Sequence, residues 1–338
     1  MKICFFAARD YKTVKSTFHG TDIKILHDLG HKVNFANSFL QIPSDTDLIF
    51  AWWASSGYQA VLRSKLMKKP CVLVSAGFDV CSSKALHDGF EYRPFYHRLL
   101  IKWALKNSSK IISVSDEVKK NVFRISGLNS NLIFNCVDTN AYKRDLRIRK
   151  ENVVLTVGGL AKYKNHELII KAAPNVLKKY PNAKFVFVGS FGREYDKLKK
   201  LAFDLDVAHS VDFAGFVGEK RKLELLNKAK VYVQPSFYES FCVALAEAMS
   251  CNLPVIVSNK GAIKEVVADS GIYTSISDSE ELAKNIIRLL GSSSLRQKLG
   301  NKARKRVVEN FSYKVRKEKI RKILEQLTNW DDVRNSVN

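Results

Sequence analysis

The chain has 338 residues, long for one compact domain and well suited to two. Its 46% hydrophobic and 26% charged residues supply material for sizeable cores and exclude global disorder. Lys and Arg total 56 against 33 Asp and Glu, and the formal charge of +23 implies a negatively charged partner or surface: phosphates, nucleic acid or anionic lipid.

The first strand is expected at 2–8, an apolar run too short for a secretory signal and followed by Arg9 and Asp10. Further strands are expected at 32–36, 48–53, 71–76 and 110–114, with helices such as 17–29 and 94–106 between them. The loop 8–20 is basic through Arg9, Lys12 and Lys15. Trp52 and Trp53, ending the third strand, either stack on a sugar or isoprenoid or form a buried pair. Arg63, Lys65, Lys68 and Lys69 cluster on and after one helix. On the next, Arg98, Lys102 and Lys106 recur every fourth residue, opposite Leu99, Leu100 and Trp103. Such a basic amphipathic face suits an anionic membrane surface; the alternative is a solvated charged face. No stretch approaches the ~20 apolar residues of a membrane span. Six well-separated cysteines without a Cys-x-x-Cys pair read as buried thiols in a reducing compartment. The expected location is cytoplasmic, peripheral on the inner face of a membrane.

A strongly basic joint at 138–152 separates two series of strands and helices. The expected organisation is a first domain at 1–140, a linker at 141–151, a second domain at 152–310 and a helix at 311–338 packing back towards the first domain. In the second domain, strands are expected at 153–158, 184–189, 211–214, 230–233 and 254–258, with helices near 166–180, 194–205, 219–228 and 241–250. Apolar runs separated by helices mean parallel sheets with right-handed crossovers, here two doubly wound α/β domains. Ligands bind such sheets at the carboxyl ends of the strands, and the cleft between two of them is the default site. After 290 only helices follow, and 296–322 carries 12 Lys or Arg against two acids.

Three loops after second-domain strands hold the candidate chemistry. Val157-Gly158-Gly159-Leu160-Ala161-Lys162-Tyr163-Lys164-Asn165-His166 runs from strand to helix. Its glycines allow close approach of a ligand, its helix start presents N–H groups to phosphate, and its lysines add charge. Val188-Gly189-Ser190-Phe191-Gly192 ends the next strand, and Gly215-Phe216-Val217 offers backbone and an aromatic wall to a flat base. In Pro235-Ser236-Phe237-Tyr238-Glu239-Ser240-Phe241-Cys242, followed by a helix carrying Glu247, two acids stand about two helical turns apart, at ~1.5 Å per residue. Glu247 lies amid Ala, Leu and Met and needs a hydroxyl or a cation; a polyhydroxylated ligand supplies the first, an internal salt bridge the second.

In this order the motifs resemble the retaining GT-B glycosyltransferases of the large family four, whose hallmark is Glu-x7-Glu followed by an apolar strand like Pro254-Val255-Ile256-Val257-Ser258. The resemblance covers 152–290 and continues upstream through Val114-Ser115-Asp116-Glu117 and Asn135-Cys136-Val137-Asp138. It implies two Rossmann-like domains facing across a cleft, C-terminal helices crossing back, and a nucleotide-sugar donor held by the second domain. Lys164 would hold the diphosphate, and Gly158, Gly159, Lys162 and Ser190 would also belong to the donor site. Glu239 would touch the donor sugar and Glu247 the ribose. The backbone of Ser240, Phe241 and Cys242 would face sugar and phosphate, and Gly189 and Val217 would lie near the base. No metal or other cofactor is expected. Transfer with retention would proceed by same-face displacement, the departing phosphate helping to deprotonate the acceptor.

Three departures stand out. Gly159 occupies a position where an arginine is frequent, leaving Lys162 as the substitute. Cys242 replaces a common glycine. The first-domain loop reads Ser75-Ala76-Gly77-Phe78-Asp79-Val80 where many members have a histidine, so Asp79 becomes the acceptor-side catalytic candidate or, alternatively, a helix cap. The expected acceptor is a membrane-associated glycolipid or lipid-linked oligosaccharide. A soluble acceptor, an inactive nucleotide-sugar binder and a nucleic-acid binder are the rivals; the last is disfavoured because no recognition module is present.

Overall fold

The structure is a computed structural model and describes residues 1–15 and 18–328. The chain divides into two compact units, one built from Met1–Cys136 and the C-terminal helix, the other from Val137–Ser312.

In the first unit the elements run β1 (Lys2–Phe6), α1 (Tyr11–Lys15), α2 (Phe18–Asp28), β2 (Lys32–Ala36), β3 (Leu48–Trp52), α3 (Ala54–Met67) and β4 (Cys71–Ser75). A small hairpin of β5 (Ser82–Ser83) and β6 (Asp88–Gly89) follows, then α4 (Phe95–Asn107), β7 (Lys110–Ser113), α5 (Asp116–Ser126) and β8 (Asn131–Leu132). The main sheet is parallel in the order β2-β1-β3-β4-β7-β8. Every residue of β3 and β4 is buried, as befits strands covered on both faces. Local signals fix the helix ends. Ser115 accepts the Val118 N–H at the start of α5, Asp116 and Glu117 fill its positive first turn, and Gly127 closes it in a left-handed conformation.

The second unit contains β9 (Val153–Val157), α6 (His166–Lys179), β10 (Lys184–Val188), α7 (Tyr195–Asp204), β11 (Val211–Gly215), α8 (Glu219–Lys228) and β12 (Val231–Gln234). It continues with α9 (Val243–Ser250), β13 (Val255–Val257), α10 (Ile263–Val267), β14 (Ile272–Tyr273), α11 (Ser279–Gly291) and α12 (Ser293–Asn310). Its sheet is parallel in the order β11-β10-β9-β12-β13-β14. Phe185, Phe187, Val231, Val233 and Ile256 from the strands meet Leu168, Ile169, Leu282 and Ile286 from α6 and α11 in one core.

The chain then enters α13 (Tyr313–Thr328) and rejoins the first unit. Arg316 is 3% exposed and forks onto Asp22 at 2.6 and 2.7 Å while donating to the carbonyls of Ile133 and Phe134. The rest of the expected terminal helix, 329–338, lies outside the described residues, as does Thr17 at the start of the expected second helix.

The segment 141–151, expected as a linker, is built into the second unit. Arg144 donates to Asn227 and to the Ile148 carbonyl, and Arg304 donates to the carbonyls of Thr139 and Tyr142. The expected basic loop 8–20 contains α1, and the helix expected from 241 begins at Val243, because Cys242 has a left-handed backbone.

Candidate functional site

In the second unit the strand order reverses between β9 and β12, where a doubly wound sheet opens a crevice at its carboxyl ends. The loops leaving these two strands carry the site. Lys164 Nζ, from the loop after β9, lies 2.6 Å from Glu239 Oε1, from the loop after β12, and both side chains are about nine-tenths buried. The backbones are tied as well: Phe237 N–H donates to the Tyr163 carbonyl, and Asn165 Nδ2 donates to Pro235 O and Ile276 O. Burial disfavours the Lys164 ammonium, but the Glu239 carboxylate outweighs it and holds the group above its ordinary pKa.

Glu239 is held by a relay that starts on one face of β12 and continues into the loop after it. Tyr232 OH donates to Gln234 Oε1 at 2.7 Å, Gln234 Nε2 to Ser236 Oγ at 2.8 Å, and Ser236 Oγ to Glu239 Oε1 at 2.9 Å. Gly261, at φ +56°, packs so closely on Glu239 that a Cβ there would stand 2.4 Å from its carbonyl oxygen. The loops after β9 and β10 touch backbone to backbone: a Cβ on Gly189 would fall 2.2 Å from the Gly158 oxygen. Both contacts require glycine.

Glu247 lies on α9, 9% exposed, with Lys222 Nζ 3.0 Å from each of its oxygens. Burial raises its pKa and Lys222 opposes the rise. Lys222 also meets Glu219 at 2.9 Å, and Tyr142 OH donates to Glu219. Each acid of the Glu-x7-Glu pair therefore has its own lysine, and the internal salt bridge weighed for Glu247 is present.

Gly158, Gly159, Gly189 and Val217 line the strand ends half-buried, while Ser190 and Lys162 are exposed. The position on Gly159 where a Cβ would stand is 3.1 Å from Ser190 Oγ. Ser240 is half-buried. The Phe241 side chain packs edge-on against Phe311, so only its backbone can face a ligand. Cys242 is buried at φ +70°. Two exposed aromatics, Phe191 and Phe216, flank these loops.

Several residues were not anticipated. Tyr232, Gln234 and Ser236 hold Glu239, and Lys222 and Tyr142 hold the Glu247 cluster; the alternation of polar side chains in an apolar strand signals the first two. His166, at the start of α6, is 2% exposed with neither ring nitrogen hydrogen-bonded. Burial, then Lys164, push its pKa down to about 3 and keep the ring neutral.

In the first unit the acceptor-side candidate, Asp79, is tied to the backbone of two strand-end loops. Asp79 is 1% exposed and accepts from Ala54 N–H at 2.9 Å and Ala76 N–H at 3.2 Å. Burial raises its pKa to about 6 against these bonds. It holds the first residue of α3 and braces the loops after β3 and β4, each oxygen accepting from a backbone N–H. Trp52 and Trp53 are likewise tied inward, to Asp22 and His19. On α4, Lys102 and Lys106 are exposed and Arg98 half-buried, beside the exposed Phe95, Tyr96, Leu99 and Trp103.

Residues 138–306, half of the chain, match the family described as glycosyl transferases group 1. The chain belongs to this family. It is 31% identical over 249 residues to "Uncharacterized glycosyltransferase MJ1607" of Methanocaldococcus jannaschii, covering 68% of this chain and 60% of that protein. It is 26% identical over 193 residues to a phosphatidylinositol N-acetylglucosaminyltransferase subunit of Arabidopsis thaliana, covering 55% of this chain and 43% of that one. The match therefore spans less than two thirds of the length of either relative. Among solved structures, Anabaena Alr3699/HepE in complex with UDP and glucose superposes with a TM-score of 0.79 at 19% identity, over 97% of this chain and all of that one. The fold of this group 1 glycosyl transferase is thus GT-B, as the motifs imply. Among the described residues no helix is long and apolar enough to cross a membrane.

Proposed function

We propose that this group 1 glycosyl transferase moves a sugar, with retention, from a UDP- or GDP-sugar to a membrane-associated glycolipid or lipid-linked acceptor. The observation that carries the reading is the Lys164–Glu239 pair at the switch point of the second sheet. An ammonium held charged in a nearly dry loop is suited to the charge that develops on a departing diphosphate. Glu239 keeps that ammonium in place and offers its other oxygen to a donor-sugar hydroxyl. Glu247, kept beside Lys222, has lone pairs left to accept from ribose hydroxyls. Phe191 and Phe216 offer apolar faces to a base. Lys162 adds charge where Gly159 brings none, and no metal is assigned a role.

In the reaction the bond between the anomeric carbon and the phosphate oxygen breaks, and the bond to the acceptor oxygen forms on the same face. The acceptor proton passes to the departing phosphate, so no side chain of the first unit is required as base. The lipid acceptor is supported by the mixed basic and aromatic surface of α4 and by the phosphatidylinositol N-acetylglucosaminyltransferase among the relatives.

The test is transfer from a panel of UDP- and GDP-sugars by the purified chain, with the anomeric configuration of the product read by NMR. Lys164→Ala is expected to lower kcat about 10²–10³-fold, the usual cost of losing one transition-state donor. Glu239→Gln, which spares the buried lysine a wholly empty partner position, is expected to lower it comparably. Parent-like rates in either variant sink the assignment of the pair, and an inverted product sinks retention. A soluble acceptor turned over in preference to lipid replaces the acceptor reading.

A further inference from the structure

The second unit has another concentration of positive charge, at the opposite end of its sheet from Lys164 and Glu239. Lys150 stands just before β9, Lys230 just before β12 and Pro254 just before β13. These positions, with Arg144, Arg296 and Asn301, line a cavity of about 430 Å³, within the size range of small-molecule sites. Four of the lining side chains are cationic, and all four are half-buried.

No carboxylate pairs directly with them, although the charge of Asp145 is felt at Arg144. Asp145 turns to Arg147 at 2.8 Å, Glu151 reaches Lys228 at 3.7 Å, and among the described residues none of the four cations lies within 4.0 Å of an acid. Each is held instead by neutral oxygens. Arg296 donates to the Leu289 and Leu290 carbonyls, Arg144 to Asn227 and Ile148, Lys230 to Asn152 Oδ1 at 2.7 Å, and Lys150 only to Leu226 O at 3.4 Å. Fixing several like charges around one hollow is unfavourable unless something negative enters it. The electrostatics agree: burial, then Arg144 and Arg296, lower Lys150 to about 7, and burial, Arg296 and Arg149 lower Lys230.

We propose that this cavity is a second ligand site, separate from the donor loops, for a small polyvalent phosphate-bearing anion: a sugar phosphate or a short polyphosphate. The four cations meet the phosphates. Asn252 and Asn301, joined by a 3.0 Å hydrogen bond at the rim, leave amide groups for sugar hydroxyls.

Calorimetric titration of the full chain with inorganic pyrophosphate and with a hexose bisphosphate tests the site in three proteins: parent, Lys150→Met and Lys164→Ala. Binding of at least one probe to the parent is expected, weakened tenfold or more in Lys150→Met and retained in Lys164→Ala. Lys230→Gln repeats the test should Lys150→Met fail to fold. Loss in Lys164→Ala with retention in Lys150→Met assigns the anion to the donor loops and overturns the proposal. So does an absence of binding to the parent, or equal binding in all variants. Tighter binding of the hexose bisphosphate, reduced by Asn301→Ala, identifies a sugar phosphate; equal binding of both probes identifies free phosphate. Because no arm measures sugar transfer, failure here leaves the transferase reading standing, and failure of that reading leaves this site testable.

Discussion

Cys242 occupies the turn between Glu239 and α9 with φ +70° and ψ 77°, a region that glycine enters freely and other L residues enter at a cost. The side chain is 8% exposed and burial pushes its thiol pKa upward, so it behaves as a small buried hydrophobe and not as a nucleophile. Two effects then oppose one another on Cys242→Gly: relief of about 1–2 kcal/mol of backbone strain, and loss of a buried sulfur together with greater freedom of the unfolded chain. We expect the melting temperature to stay within a few degrees of the parent, and donor KM to fall as the turn opens. Cys242→Val, β-branched in the same conformation, should destabilise by about 2 kcal/mol or more. A valine variant as stable as the parent would show that the turn is not held in this conformation in solution. The buried pair next to it is less forgiving: Glu239→Ala strips the buried Lys164 ammonium of the carboxylate that sustains it, at about 3–5 kcal/mol, so activity lost in that variant mixes folding with chemistry.

At the scale of single elements, α4 shows how a helix can serve two environments. Ile101, Ala104 and Leu105 face the core, while Phe95, Leu99 and Trp103 form one exposed row and Arg98, Lys102 and Lys106 another beside it. An apolar row next to a basic row matches the interface of an anionic bilayer, where each cation contributes about 1 kcal/mol. Replacing the three cations by Ser should weaken binding to vesicles containing phosphatidylserine by about 100-fold at low salt, and the parent's binding should decline as salt rises. Vesicle affinity unchanged by the triple substitution removes α4 from the interface. The sequence exposed the basic row and set Leu99, Leu100 and Trp103 opposite it; that Leu99 and Trp103 are exposed beside it was not legible, because the four-residue repeat alone does not say which face is buried. The strands were legible for the converse reason: β3 and β13 are apolar throughout, and β4 and β12 are buried runs interrupted only by Ser75 and by Tyr232 and Gln234. The two-residue strands β8 and β14 are too short to leave a pattern. Glu239 and Lys164 were legible as loop residues, yet their contact spans 75 positions and only the switch-point topology brings it about. The Tyr232–Gln234 part of the relay was within reach, since polar residues at every second position of a buried strand share one face.

Over the whole molecule, chain order and unit order differ, since α13 returns to the unit that the first 136 residues begin. Arg316 is the bolt of that return: Arg316→Ala would leave the fully buried Asp22 carboxyl without its guanidinium partner and strip donors from two carbonyls. A loss of about 3–5 kcal/mol is expected from the first unit, visible as faster proteolysis within 1–136 than within the second unit. The excess of positive charge has a consequence of its own at Lys150. With burial, Arg144 and Arg296 lowering its pKa to about 7 and the Cys251 thiol opposing them, the unfolded chain binds the proton more tightly than the folded one between that value and the ordinary 10.5. Protons bound in excess by the unfolded state make stability rise with pH, so this lysine destabilises most below pH 7 and ceases to do so above about 10.5. Without added phosphate, Lys150→Met should therefore melt above the parent at pH 6.5, and the gap should close as the pH is raised towards 10. Saturating the parent with pyrophosphate should narrow the same gap at pH 6.5 by supplying the missing negative charge, whereas the methionine variant should gain little. A gap of constant size across this range would mean that Lys150 keeps an ordinary lysine pKa, with its charge solvated rather than confined among the arginines.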